Sequence, residues 1–273
     1  PDYPDLDDTA VVAMAMDRAD ASAGHPRYRE SIGRAAEWVG GLQSRNGGFA
    51  AFDADNTHHH LNAIPFADHG ALLDPPTADV TARCISMFAQ LGETPASSPR
   101  LARAVHHLLA EQEADGSWFG RWGTNYIYGT WSALCALNAA GFEPWAPDVA
   151  RAADWLIAIQ NPDGGWGEDG DSYRVDYKGY QPAPSTPSQT AWALLALMAT
   201  ARVGEPAVRR GIDYLARTQG ADGLWDETRF TAVGFPRVFY LRYHGYAKFF
   251  PLWAMARFRN LEAGNSRRVT VGM

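Results

Sequence analysis

The feature that most constrains the fold is a segment that occurs four times. Ala36-Glu37-Trp38-Val39-Gly40-Gly41-Leu42-Gln43 leads to Gly47-Gly48-Phe49, and Leu108-Leu109-Ala110-Glu111-Gln112 leads to Asp115-Gly116-Ser117-Trp118. Trp155-Leu156-Ile157-Ala158-Ile159-Gln160 leads to Asp163-Gly164-Gly165-Trp166, and Tyr214-Leu215-Ala216-Arg217-Thr218-Gln219 leads to Asp222-Gly223-Leu224-Trp225. In each copy a helix-period run ends in Gln, a short Asn/Asp/Gly turn follows, and an aromatic residue stands six positions after the Gln. Glycine admits the positive φ of such a turn. The Gln amide can satisfy an orphan backbone group at a neighbouring helix end, with the aromatic ring as its cover. Helix pairs repeated in this way close into an α/α toroid.

Helical periodicity between Gly and Pro punctuation predicts helices near 9–18, 31–44, 79–92, 99–112, 127–140, 147–160, 187–202, 205–218 and 246–260. No alternating strand pattern stands out, so the class is all-α. These nine helices are fewer than a closed ring of about six hairpins requires. Pro1-Asp2-Tyr3-Pro4 also runs straight into an acidic motif. Both observations are read as an N-terminal portion lying outside this sequence.

Composition narrows the function. The chain has 273 residues, 46% of them apolar and 20% charged, with a net charge of −7. This balance argues against a nucleic-acid partner, which calls for a basic face. No apolar run approaches the roughly 20 residues of a membrane-spanning helix. Cys84 and Cys135 each lie in an apolar helical pattern and read as buried free thiols.

The chemistry concentrates at Asp5-Leu6-Asp7-Asp8-Thr9-Ala10, directly before the helical run Val11-Val12-Ala13-Met14-Ala15-Met16. Carboxylates this close raise one another's pKa, so one of them is expected to hold a proton at neutral pH and to be able to give it away. The helix N-terminus pulls the other way and favours the anion. A helix cap accounts for Asp8, but not for Asp5 and Asp7 beside it.

The four turns resemble the QW motifs of triterpene cyclases, and the acidic stretch resembles their DxDDTA motif. Asp79-Val80-Thr81-Ala82, Gly116-Ser117-Trp118-Phe119-Gly120-Arg121-Trp122-Gly123, Asn125-Tyr126-Ile127-Tyr128-Gly129-Thr130, Asn161-Pro162-Asp163-Gly164-Gly165-Trp166-Gly167-Glu168, Ser185-Thr186-Pro187-Ser188-Gln189-Thr190-Ala191-Trp192 and Gly234-Phe235-Pro236 extend the likeness over essentially the whole chain. Together they resemble bacterial squalene–hopene cyclases, with residues 1–273 as the C-terminal part of the catalytic α/α-barrel domain.

The resemblance implies protonation of a terminal alkene of squalene, followed by ring closures through carbocations to hopene or hopanol. By position Asp7 is the proton donor, with Asp5 and Asp8 as companions. Arg83 stands where well-known members carry a His bonded to the acid. A fixed cation there strengthens Asp7 as an acid but also favours loss of its proton to water; if Arg83 pairs with another Asp, Asp7 stays protonated. Phe52, Trp122, Tyr128, Phe235, Phe239, Tyr243 and Tyr246 are the candidate rings for stabilising cations. Phe66 matches a residue at the neck of the substrate channel, and Phe52 stands where Tyr is common. The resemblance further implies no cofactor and no metal, a monotopic contact on the cytoplasmic side of a membrane, and a homodimer as one option for the full-length protein.

Several other signals carry less weight. His58-His59-His60 is internal and does not have the spacing of a metal site, and Asp53 and Asp55 do not continue into a calcium loop. The polar tail with Arg267 and Arg268 reads as a flexible end. Two alternatives stay open: a class II cyclase of a sesquarterpene or diterpene, and a non-catalytic toroid that binds a lipid or a protein.

Overall fold

A computed structural model describes residues 3–58, 60–61, 64, 72–174 and 179–264. Phe66, His59, Arg267 and Arg268 lie outside these residues. The helices are α1 (Leu6–Ala23), α2 (Arg29–Gly41), α3 (Ala78–Gln90), α4 (Pro99–Ala110), α5 (Tyr126–Ala139), α6 (Pro147–Ala158), α7 (Pro187–Ala199), α8 (Pro206–Thr218) and α9 (Tyr246–Glu262). Each matches an expected helix, with ends displaced by a few residues. The chain divides into two compact units, one built on 3–111 with 136–142 and the other on 112–135 with 143–264.

In the first unit α1 packs on α2 and α3, and α3 on α4. In the second, α7 packs on α6, α8 and α9. The helices are of two kinds. Every residue of α7 is buried, as is every residue of α3 from Ala78 to Phe88. Both are apolar around much of their circumference, as a helix enclosed on all sides must be. The outer helices bury one stripe only, for example Val208, Gly211, Tyr214 and Leu215 of α8.

Three of the repeated turns dock on the first turn of a helix of the second kind. Gln43 Nε2 donates to Gly47 O and to Arg100 O in the first turn of α4, both at 2.8 Å. Gln112 does the same to Gly116 O and Asp148 O, and Gln160 to Gly164 O and Ala207 O. The acceptor differs from the sequence expectation. It is a first-turn carbonyl, which already takes an intrahelical bond and offers its second lone pair, and not an orphan group. Gly47, Gly116, Gly164 and Gly223 hold φ of +93°, +100°, +89° and +81°. A Cβ at Gly47 would lie 2.5 Å from Arg103 O and one at Gly164 2.7 Å from Arg210 O, so the turn needs glycine for both backbone angle and space. The aromatic residue of each copy is enclosed, and Trp166 and Trp225 donate from Nε1 to Leu156 O and Leu215 O at 2.8 Å.

A short antiparallel hairpin corrects the expectation of no strands. β1 (Ala232–Phe235) pairs with β2 (Phe239–Leu241), with an irregularity between Val233 and Phe235. The residues before Tyr126 lie along it: Thr124 N donates to Thr231 O and Val233 N to Trp122 O. Strands of four and three residues interrupted by Gly234 and Pro236 show no period-two pattern.

Candidate active site

The acid motif is the start of α1. Asp5 has extended backbone, φ −116° and ψ 162°, and its Oδ1 accepts the N–H of Asp8 at 2.7 Å. The cap is therefore Asp5, whereas the sequence assigned it to Asp8. A capping oxygen serves the N–H three residues on, so the residue before Leu6 takes the role. Leu6 N donates to Ala51 O at 2.9 Å, which ties the first turn to the loop after Phe49.

Asp7 is turned inward. Its Oδ1 is shielded from water and stands 2.8 Å from Arg83 Nε, with the Asp7 side chain 27% exposed and that of Arg83 6%. Arg83 therefore pairs with Asp7 itself. Burial raises the Asp7 pKa to about 6; the Arg83 cation opposes this, and the charges of Asp79, Asp5 and Asp8 add to it. Burial also raises Asp5, while the Asp8 N–H draws it down. Desolvation thus prevails over both the helix N-terminus and the cation, and leaves Asp7 a carboxyl that titrates near neutrality. Asp79 is buried and accepts Thr77 Oγ1 at 2.6 Å and Val80 N at 3.0 Å. The neighbouring Cys84 is a buried free thiol, held neutral by burial and by Asp7.

A further carboxylate supports this corner and went unnoticed in the sequence. Asp74 accepts the backbone N–H groups of Ala51 at 3.2 Å, Phe52 at 2.5 Å and Asp53 at 2.8 Å. It fixes the loop whose Ala51 carbonyl receives Leu6. Phe52 lies on that loop with its ring 5.2 Å from Tyr3. Asp74 sits in an irregular segment with no period or motif around it, so no sequence signal pointed to it.

In the second unit the candidate rings fall into separate groups. Tyr128 and Tyr246 belong to a cluster centred on Trp131 and Trp192, which stack at 5.9 Å with planes 8° apart. Tyr128 meets Trp192 edge-on at 4.9 Å, and Tyr246 meets it at 5.8 Å. Phe250 is 5.4 Å from Trp131 and 5.6 Å from Trp192, and Trp253 is 6.4 Å from Trp131. Trp131 and Trp192 are fully buried, and with Phe250 and Trp253 they were not among the expected rings, because rings at helical spacing read as core. Tyr243 touches Tyr246 at 5.0 Å and is half-exposed. Phe235 and Phe239 pair at 5.4 Å across the hairpin, and Trp122 lies under the guanidinium of Arg121.

Glu168 holds α5, which carries Tyr128 and Trp131. Its carboxylate accepts the N–H groups of Asn125, Tyr126 and Ile127 at 3.1, 3.1 and 3.0 Å. Burial raises its pKa to about 7 against the pull of those donors. Among the described residues no group of three or more His, Cys, Asp and Glu comes together as a metal site.

Residues 1–260 match the family described as squalene-hopene cyclase C-terminal domain. The chain is 64% identical over 271 residues to the squalene–hopene cyclase of Bradyrhizobium diazoefficiens, covering 99% of this chain and 41% of that protein. It is 60% identical over 272 residues to that of Zymomonas mobilis, again covering 99% of this chain and 41% of the relative. The chain thus spans about two fifths of the length of these relatives. Its fold is similar to that of the type II terpene cyclase MstE from Scytonema in the apo form, with a TM-score of 0.61 at 17% identity over 95% of this chain and 74% of that one.

Proposed function

The chain belongs to the squalene–hopene cyclase C-terminal domain family, and from that premise we propose that it carries the initiating acid of a protonation-driven polyprenoid cyclase acting on squalene. The observation that carries the reading is Asp7, a largely enclosed carboxyl raised to about 6 and placed against a buried arginine. A carboxyl that keeps its proton up to about pH 6 and faces little water can pass it to an alkene carbon. The O–H electron pair stays on Asp7 as the carboxylate, and Arg83 is placed to hold that negative charge. The alkene becomes a tertiary carbocation, which the π electrons of the next double bond attack, closing one ring and passing the positive charge on.

Each such cation needs a negative surface without a nucleophile. Aromatic faces supply about 0.5–2 kcal/mol each when desolvated. Trp131, Trp192, Tyr128, Tyr246, Phe250 and Trp253 form a dense group of such faces. Phe52, Phe235, Phe239, Tyr243 and Trp122 are assigned to the same task on the strength of the family positions, and Phe66 to the channel neck. The last cation is quenched by loss of a proton, giving hopene, or by water, giving hopanol.

Incubation of the full-length protein with squalene in deuterium oxide tests the reading. Hopene carrying one solvent-derived deuteron is expected. Recovery of unchanged squalene from folded protein would overturn it and direct attention to a shorter polyprenoid.

We also place the protein at a membrane surface. No helix of the described residues is long and apolar enough to cross a bilayer. Phe249 and Leu252 are 71% and 62% exposed on α9 and are available to a lipid surface. Co-sedimentation with phosphatidylcholine vesicles is expected for the full-length protein, and its recovery in the supernatant would contradict the placement. The homodimer implied for the full-length protein is tested by its mass in light scattering, where a monomer mass would exclude it.

A further inference from the structure

Arg121 precedes Trp122 and lies outside the acid group of Asp5, Asp7, Asp8 and Arg83. Its guanidinium carbon lies 4.3 Å over the centre of the Trp122 ring and 6.0 Å from that of Phe235. Its Nη2 donates to Gly234 O at 3.0 Å, and its Nη1 is shielded from water. Gly234 is the residue before Phe235, and a Cβ placed on it would lie 2.0 Å from the Phe239 ring. The backbones close the same corner, with Val233 N donating to Trp122 O at 3.0 Å. One planar cation therefore meets three constraints: a ring face, the direction of a carbonyl, and enclosure.

A guanidinium is attracted to the face of an indole and occupies it. A lysine cannot reproduce the arrangement, because its ammonium is a point charge with no plane to stack.

We propose that Arg121 is a positioning and specificity-determining residue of the cyclase, which locks Trp122 against the Gly234–Phe235 turn and so fixes where the rings of this corner meet the carbocation. This rests on the cyclase reading above. Trp122 and Phe235, both within reach of the one guanidinium, are then held at a fixed angle to each other. Freed of Arg121, the two rings move independently, and cations lose a proton before cyclisation is complete.

The test compares the full-length wild type, Arg121→Ala and Arg121→Lys on squalene, with products separated by gas chromatography–mass spectrometry and melting temperatures measured in parallel. In Arg121→Ala, squalene consumption is expected to stay within about threefold of wild type, while the share of incompletely cyclised products rises about fivefold or more. Arg121→Lys, which keeps a donor for Gly234 but loses the stacked plane, is expected to fall between. Unchanged product ratios in folded Arg121→Ala would overturn the role of Arg121 and leave the cyclase reading intact. Should Arg121→Ala fail to fold, unchanged ratios in Arg121→Lys would overturn it equally. A wild type that yields no cyclised product would overturn the cyclase reading, and this inference with it.

Discussion

Asp7 Oδ1 stands 2.8 Å from Arg83 Nε, an ion pair at the first turn of α1 whose arginine is almost wholly enclosed. The pair sets two opposing demands on one carboxyl. Burial raises its pKa to about 6, and Arg83 limits the rise.

The balance fixes the pH dependence of activity. With Asp7 as the proposed proton donor its protonated form is the active one, so activity is expected to fall as pH rises through about 6. In Arg83→Gln the cation is gone, and the descending limb should move up by about one unit or more. The weaker acid should also lower the peak rate by roughly tenfold. A pH–rate profile of the two proteins checks both; a limb that stays in place would remove Arg83 from control of the acid.

The same shift has a cost in stability. Asp7 rises from 3.8 to about 6 on folding, so its contribution is fully present below about pH 4 and lost as pH climbs through 6. At about 1.4 kcal/mol per unit, the ceiling on that loss is about 3 kcal/mol. Asp7→Asn should therefore melt at or above wild type at pH 7.5 and lose this advantage at pH 4.5. Thermal melts at the two values decide; equal differences at both would contradict the raised pKa.

Asp74 should prove more important to stability than its irregular segment suggests. Asp74→Ala strands the N–H groups of Ala51, Phe52 and Asp53, at an expected cost of about 2–3 kcal/mol. Asp74→Asn keeps acceptor capacity and should lose about half as much. Urea denaturation measures both, and a neutral Asp74→Ala would show that the loop holds itself.

The repeated glutamines should not be equivalent. Gln160 bridges Gly164 O to Ala207 O of α8 and accepts Arg210 Nε at 2.9 Å, whereas Gln219 is exposed and donates to Gly223 O. Gln160→Ala is expected to cost about 1–2 kcal/mol and Gln219→Ala less than about 0.5 kcal/mol. Equal losses in denaturation would contradict the bridging role.

What was legible in the sequence follows the same physics. The helices and the four turns were readable because Gln, Gly and the aromatic residue recur at fixed spacing, and each has a local reason to be there. Arg83 could be singled out, but which carboxylate it meets depends on how α3 packs against α1, which spacing does not encode. The sequence assigns the cap to Asp8, and only the start of the helix at Leu6 moves it to Asp5. Trp131, Trp192, Phe250 and Trp253 sit at helical intervals that read as core, and which rings meet across helices depends on tertiary contact, which spacing does not encode. Asp74 and Glu168 bind backbone N–H groups far away in the chain, at separations of 21–23 and 41–43 residues. No local pattern announces such a carboxylate.

The most direct test of the account is squalene turnover by the full-length protein, wild type against Asp7→Asn, with products read by gas chromatography–mass spectrometry. Hopene from the wild type and none from a folded Asp7→Asn is the expected result, since the amide has no acidic proton to give. Hopene from both proteins would contradict Asp7 as the initiating acid.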